Sequence, residues 1–174
     1  MNTENVILSN MYYQGTVKHE NMARLKLKDF IIELNREEVQ TTFLNIQYEY
    51  RCNIVFKDLL GRPIRALSLN ENQARILVDN ISTFVYDEYT ELNCLGDISS
   101  TNIAETYGIR LSATEVNGDF SVLFQVICYN NVLNTSFPVI STVMSLEELD
   151  KFCDLMFFIF LVDLVSERKS IYQV

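Results

Sequence analysis

Histidine occurs once in the 174 residues, at His19, and tryptophan not at all. A single imidazole excludes an H-E-x-x-H zinc site and any two-histidine metal centre, and leaves a histidine-dependent triad without support. His19 itself, in the polar stretch Lys18-His19-Glu20, reads as a solvated loop residue. The five glycines stand apart at 15, 61, 96, 108 and 118, so the chain has no phosphate loop and no dinucleotide fingerprint. With only two prolines as well, it is neither disordered nor collagen-like. Its four cysteines, Cys52, Cys94, Cys128 and Cys153, lack C-x-x-C spacing and read as buried free thiols of a reducing compartment. The longest apolar run, Leu155 to Val162, is closed by Asp154 and Asp163 and falls short of the ~20 residues that a membrane span needs. The N-terminus, MNTENVILSNMYYQG, has no basic region of the secretory type. A cytoplasmic location, no membrane partner, and no metal or cofactor are therefore expected. The sequons at Asn80 and Asn134 then read as chance matches.

Cations are scarce in one half only. Residues 1–75 hold ten Lys/Arg against nine Asp/Glu, and residues 76–174 hold four against fourteen. The formal charge of −9 thus belongs almost wholly to the second half. An acidic field of this kind repels nucleic acid and membranes and favours basic protein partners. Hydrophobic residues at 48% are ample for a core.

What the chain does have is a pattern that returns. Pro63 to Val85 reads PIRALSLNENQARILVDNISTFV, and Pro138 to Phe160 reads PVISTVMSLEELDKFCDLMFFIF. Each proline stands seven residues before a helix-capping residue, Asn70 or Ser145. Ala74, Leu77, Val78, Ile81 and Val85 precede Leu149, Phe152, Cys153, Met156 and Phe160 by 75 residues, at helical spacing. Ser145 and Glu148 form a capping-box signature.

Around these helices the chain reads as strands. Val6–Tyr13 is a first strand, and Ala23–Leu34 is a second, with a bulge or a doubly buried segment at Phe30-Ile31-Ile32. Asn35–Glu38 is a polar break. Thr41–Asp58 is a long, half-buried strand, nearly strictly alternating from Tyr48. Gly61 serves a hairpin, and Pro63 opens the strand before the first helix. In the second half Tyr107–Val116 and Asp119–Tyr129 flank Asn117-Gly118, a strong hairpin signal. Ser136–Met144 completes the set, and the second helix runs from Ser145 to about Glu167.

The fold class is α+β: two related units of antiparallel strands, each followed by one helix, an internal duplication with a period of 75 residues. Residues 1–85 form the first unit, 86–105 an acidic connector with at most a helical turn, and 106–174 the second unit, all in one compact fold. Element order over 23–85 and 107–167 resembles the duplicated single-strand-binding folds of the Whirly and PUR type. The resemblance implies nucleic-acid binding. No diagnostic motif of either family is present, however, and the acidic second half departs from a nucleic-acid surface.

No constellation carries catalysis, so a non-enzymatic role is expected. Glu147, Glu148 and Asp150 complement the dipole of the second helix, and Asp79 and Asp154 border the two apolar stripes. Two surfaces remain. The second helix is apolar nearly all round, which makes Met156, Phe157, Phe158, Phe160, Leu161 and Leu164 the candidate protein interface. The leading expectation is a protein-binding module, such as an adaptor, chaperone-like protein or inhibitor, with a homodimer or stable complex formed through 156–165. The alternative is a single-stranded nucleic-acid binder. Arg24, Lys26 and Lys28 share a strand face, and Arg51, Lys57, Arg62 and Arg65 lie on neighbouring strands. Phe30 has the parity to join them, and Tyr12 or Tyr13 could add a stacking ring.

Overall fold

The computed structural model describes residues 17–40, 48–87, 91–95 and 105–161. Two four-stranded antiparallel sheets share one core. The first runs β1 (Val17–Lys26), β2 (Ile31–Gln40), β3 (Tyr48–Lys57) and β4 (Pro63–Asn70) in sequential order and is followed by α1 (Glu71–Asp87). The second runs β5 (Glu91–Leu95), β6 (Glu105–Val116), β7 (Asp119–Asn130) and β8 (Thr135–Ser145), followed by α2 (Leu146–Met156). A π-helical turn, Phe157–Leu161, extends α2.

Local chemistry accounts for the connections. Asn117 (φ 53°) and Gly118 (φ 83°) carry the left-handed turn between β6 and β7. The β3–β4 hairpin closes on Asp58, whose Oδ1 accepts from the backbone N–H of Leu60 (3.0 Å) and Arg62 (2.9 Å). Asn130 does the same for Val132 and Leu133 between β7 and β8. Both helices start on reciprocal caps. Ser145 Oγ accepts from Glu148 N and Ser145 N donates to the Glu148 carboxylate, each at 3.1 Å. Asn70 and Gln73 make the same pair of bonds at 2.8 and 2.9 Å.

Four sequence expectations need correction. The stretch Ala23–Leu34 is not one strand: Leu27 N donates to Phe30 O (2.8 Å), closing a hairpin between β1 and β2. The supposed polar break at Asn35–Glu38 is the continuing β2, with Asn35 and Glu37 turned outward and Arg36 inward. The connector also contains a strand, since Glu91–Leu95 pairs with Ser112–Gly108 of β6. His19 lies in β1 beside a register shift rather than in a loop. Val6–Tyr13, with Tyr12 and Tyr13, lies outside the described residues, as do 41–47 and Leu164.

The core joins the two halves. Phe56 of the first sheet meets Phe124 of the second (centroids 6.1 Å), and Phe124 meets Phe152 of α2 edge-on at 5.5 Å. The helices pack on one another, α1 also touches β5, and the π-helical turn reaches back onto β1 and β2. That crossing is what covers the over-apolar helix. Met156, Phe160 and Leu161 are buried against the other half of their own chain, so they are no outward interface. Phe157 and Phe158 remain 48% and 40% exposed.

Candidate nucleic-acid interface

Alternation along the first sheet sorts its side chains cleanly. Ala23, Leu25, Ile32, Leu34, Cys52, Ile54, Phe56, Leu67 and Leu69 face the core. Arg24, Lys26, Arg51 and Lys57 face outward on β1 and β3, with Glu33, Asn35, Glu37 and Asn53 between them. Among the residues of this face whose side chains are described, these are four cations against two carboxylates.

Glu33 ties this face together. One oxygen, Oε2, accepts from Lys57 Nζ at 2.7 Å and from Arg24 Nη2 at 3.0 Å, so β1, β2 and β3 are cross-linked by a single carboxylate. Burial alone would raise the Glu33 pKa. The hydrogen bonds and charges of Lys57 and Arg24 outweigh it and hold the group below the ordinary carboxylate value. Beside it, Asn53 Nδ2 donates to Asn35 Oδ1 at 2.9 Å across the ladder. Lys26 and Arg51 make no ion pair among the described residues and stand free for a ligand.

The remaining predicted cations go elsewhere. Lys28 is exposed on the β1–β2 turn. Arg62 sits at the β3–β4 hairpin and pairs with Asp58 (2.8 Å), whose carboxyl is held low first by the backbone hydrogen bond from Arg62. Arg65 lies on the opposite side of its sheet from Lys57, because it pairs in register with inward-facing Phe56. Its guanidinium stacks 3.9 Å above the Tyr107 ring of the second sheet, and Nη2 donates to the Tyr107 hydroxyl at 2.7 Å. That hydroxyl donates in turn to Glu105 (3.2 Å). Burial, and then the neighbouring Cys128, push the Tyr107 phenol up. Phe30 is buried, because the hairpin turn reverses the parity that would have placed it beside the cations.

Sequence reasoning missed that Glu33, Asn35 and Asn53 share this face, and missed Tyr107 and Glu105. Register across β2 and β3 brings the first three together, and the meeting of two sheets brings Arg65 to Tyr107. Neither relation is written in local sequence. Arg36, fully buried, stacks 4.7 Å over Tyr50 on the inner side of the first sheet.

Carboxylates collect on the helices instead: Asp79 on α1, and Glu147, Glu148, Asp150 and Asp154 on α2. Asp154, Asp150 and Asp79 add to burial in pushing the Cys153 thiol up to about 11. Burial, then Asp150, raises the Asp154 carboxyl. Among the described residues no group of three His, Cys, Asp or Glu is placed to hold a metal ion. No described helix is long and apolar enough to cross a membrane.

No protein-family model and no curated protein matches the chain. Among solved structures it is similar in fold to WHY3 from Arabidopsis thaliana, with 12% identity, a TM-score of 0.49, and 95% of this chain and 98% of that one covered. WHY1 from the same plant gives 12% identity and a TM-score of 0.46, covering 85% and 94%. The plant transcriptional regulator PBF-2 gives 10% and 0.46, covering 91% and 90%. Identities this low leave function to be argued from the chain's own side chains.

Proposed function

We propose that the chain binds single-stranded nucleic acid across the outer face of its first sheet. The observation that carries this reading is the segregation of charge. Arg24, Lys26, Arg51 and Lys57 share that face, while the acidic residues of α1 and α2 belong to the helices. A strand laid on the face meets cations in two strands of the sheet, with the Asn35–Asn53 amides between them. Cationic sheet surfaces of this kind follow the backbone of an unpaired strand through its phosphates.

Binding would release condensed counterions. Neutralising about four phosphates gives a slope of about −3 for log affinity against log salt on a single strand. The test is fluorescence anisotropy with a labelled single-stranded oligonucleotide at two or more salt concentrations, beside Lys26→Glu and Arg51→Glu. Both variants are expected to weaken binding and flatten the slope while melting as the wild type does. Absence of binding at low salt would overturn the proposal.

A protein partner is the second reading, favoured by one observation: adjacent Phe157 and Phe158 stay half exposed at the end of α2. On this reading the pair is what remains of the 156–165 interface, and its occupant is a second copy of the chain or a basic protein.

We also infer that the two sheet-and-helix units arose by duplication, with bounds near 1–85 and 106–174. A register shift stands beside Pro63 and another beside Pro138, and these shifts support the inference. A reciprocal cap starts each helix as well.

A further inference from the structure

Among the described residues, the outer face of the first sheet offers cations and amides but no exposed ring, since Phe30 is buried and Tyr50 lies inward under Arg36. Unpaired strands are held by stacking as well as by charge, so exposed rings elsewhere are candidates for that part. They are found where the two sheets part, beside the edge strand β4.

Three observations meet there. First, Arg65 is held flat on Tyr107 and makes no ion pair among the described residues, unlike Arg24, Lys57, Arg62 and Arg75. Its Nη2 is engaged by the phenol, which leaves Nε and Nη1 as donors. Second, Tyr107 pairs with Cys128 and Cys128 with Phe137, so the three lie in one row on the same side of the second sheet. Two strand spacings put Phe137 about 10 Å from Tyr107, and Phe137 is 52% exposed although its side of the sheet is the core side. Third, the corresponding positions of the other unit are closed. Counting 75 residues on from Arg65 gives Ile140, and register sets Phe30 opposite Tyr107 in the repeat; both are buried. One junction is sealed with apolar groups, and the other carries a cation, a phenol and an open ring.

We propose that this second junction is a base-stacking subsite: one nucleobase lies on the Phe137 ring, and an adjoining phosphate takes the free edge of the Arg65 guanidinium. The inference rests on the single-strand reading above and extends it. Arg62, at the hairpin beside β4, and Lys57, on the outer side of the next strand, lead from this mouth round the sheet edge to the cationic face. A strand wrapping that edge has phosphate contacts on the outer face and a stacked base at the mouth. The Tyr107 hydroxyl accepts from Arg65 and donates to Glu105, so the carboxylate orients the phenol that holds the guanidinium.

The experiment uses the full chain and a single-stranded oligonucleotide with 2-aminopurine at successive positions. Wild type should quench the fluorescence of one position strongly by stacking. Phe137→Ala should abolish that quenching and weaken binding by about 5- to 100-fold, and Phe137→Trp should restore both. Arg65→Gln should weaken binding and lower the salt slope by close to one phosphate's share. Because Phe137 is exposed, its variants should melt with the wild type, and this separates a binding role from a structural one. If Phe137→Ala binds and quenches as wild type does while Lys26→Glu weakens binding, the subsite is wrong and the outer-face reading stands. If the wild type binds no oligonucleotide at low salt, both are wrong.

Discussion

The Cys153 thiol donates to the carbonyl oxygen of Val78 across 3.8 Å, and the two residues are 75 apart in the chain. Val78 is the residue that the repeat pattern sets in register with Cys153. The contact therefore marks where α1 and α2 meet, at positions that the sequence pattern aligns.

Space at that crossing is limited, because Val78 and Cys153 are both buried. Cys153→Phe should therefore overpack it and lower stability by about 1–3 kcal/mol. Thermal melting by circular dichroism reads this directly. An unchanged midpoint would show that the helices are free to move apart.

Glu33 sets the acid limit of the first sheet. Its folded pKa lies below its ordinary value of 4.5, so its stabilisation is present above that value and is lost as pH falls through the folded one. Glu33→Gln should cost about 1–2 kcal/mol at pH 7, by leaving Arg24 and Lys57 with a weaker partner, and should flatten the decline of stability below pH 4.5. The same variant removes one negative charge from the outer face. Tighter binding of single strands, with steeper salt dependence, is expected from it. Anisotropy titrations would register any contrary weakening.

Burial protects the thiols. Cys52 is pushed up to about 12 and Cys153 to about 11, in each case by burial first. Neither offers thiolate at pH 8. Iodoacetamide should label both only after denaturation, with peptide mass spectrometry as the readout. Rapid labelling of Cys153 in the native chain would mean that the helix pair opens. Above pH 9 the raised values work against the fold, and stability should fall as pH climbs toward 12.

Phe158→Asp tests the exposed end of α2. If Phe157 and Phe158 contact a second copy, the variant should shift the chain toward monomer in light scattering without lowering its melting temperature. A wild-type chain that is monomeric at high concentration, with a variant of the same size, would rule out self-association there.

Much of the fold was legible because its signals are local. Ser145 with Glu148, Asn117 with Gly118, and the two prolines each specify their structure within a few residues. The β1–β2 hairpin was not legible: Leu27-Lys28-Asp29-Phe30 has neither glycine nor proline, and its inner residues continue the apolar alternation on both sides. Arg36 hid β2 for a different reason. It is a cation at a core-facing position, made tolerable by Tyr50, and it breaks the period by which a strand is known. The second helix misled at its π-helical turn. The face set by Leu149, Phe152, Cys153 and Met156 continues through that turn to the buried Ile159 and Phe160 and leaves Phe157 and Phe158 outside, whereas the apolar run itself, unbroken all round, hides which face is covered. Of the seven predicted cations, the outward four were legible by parity. Arg65 was not, because its register lies beyond a bulge.

The prolines have a consequence beyond starting strands. Among the described residues, sequential strand order leaves β1, β4, β5 and β8 as outermost strands, and an outermost strand presents backbone groups that another chain's strand could join. Pro63 on β4 and Pro138 on β8 each lack an N–H, and a register shift stands beside each. At these two edges the missing donor and the shift disfavour an incoming strand. Threonine at both positions would restore two continuous templates for polymer growth.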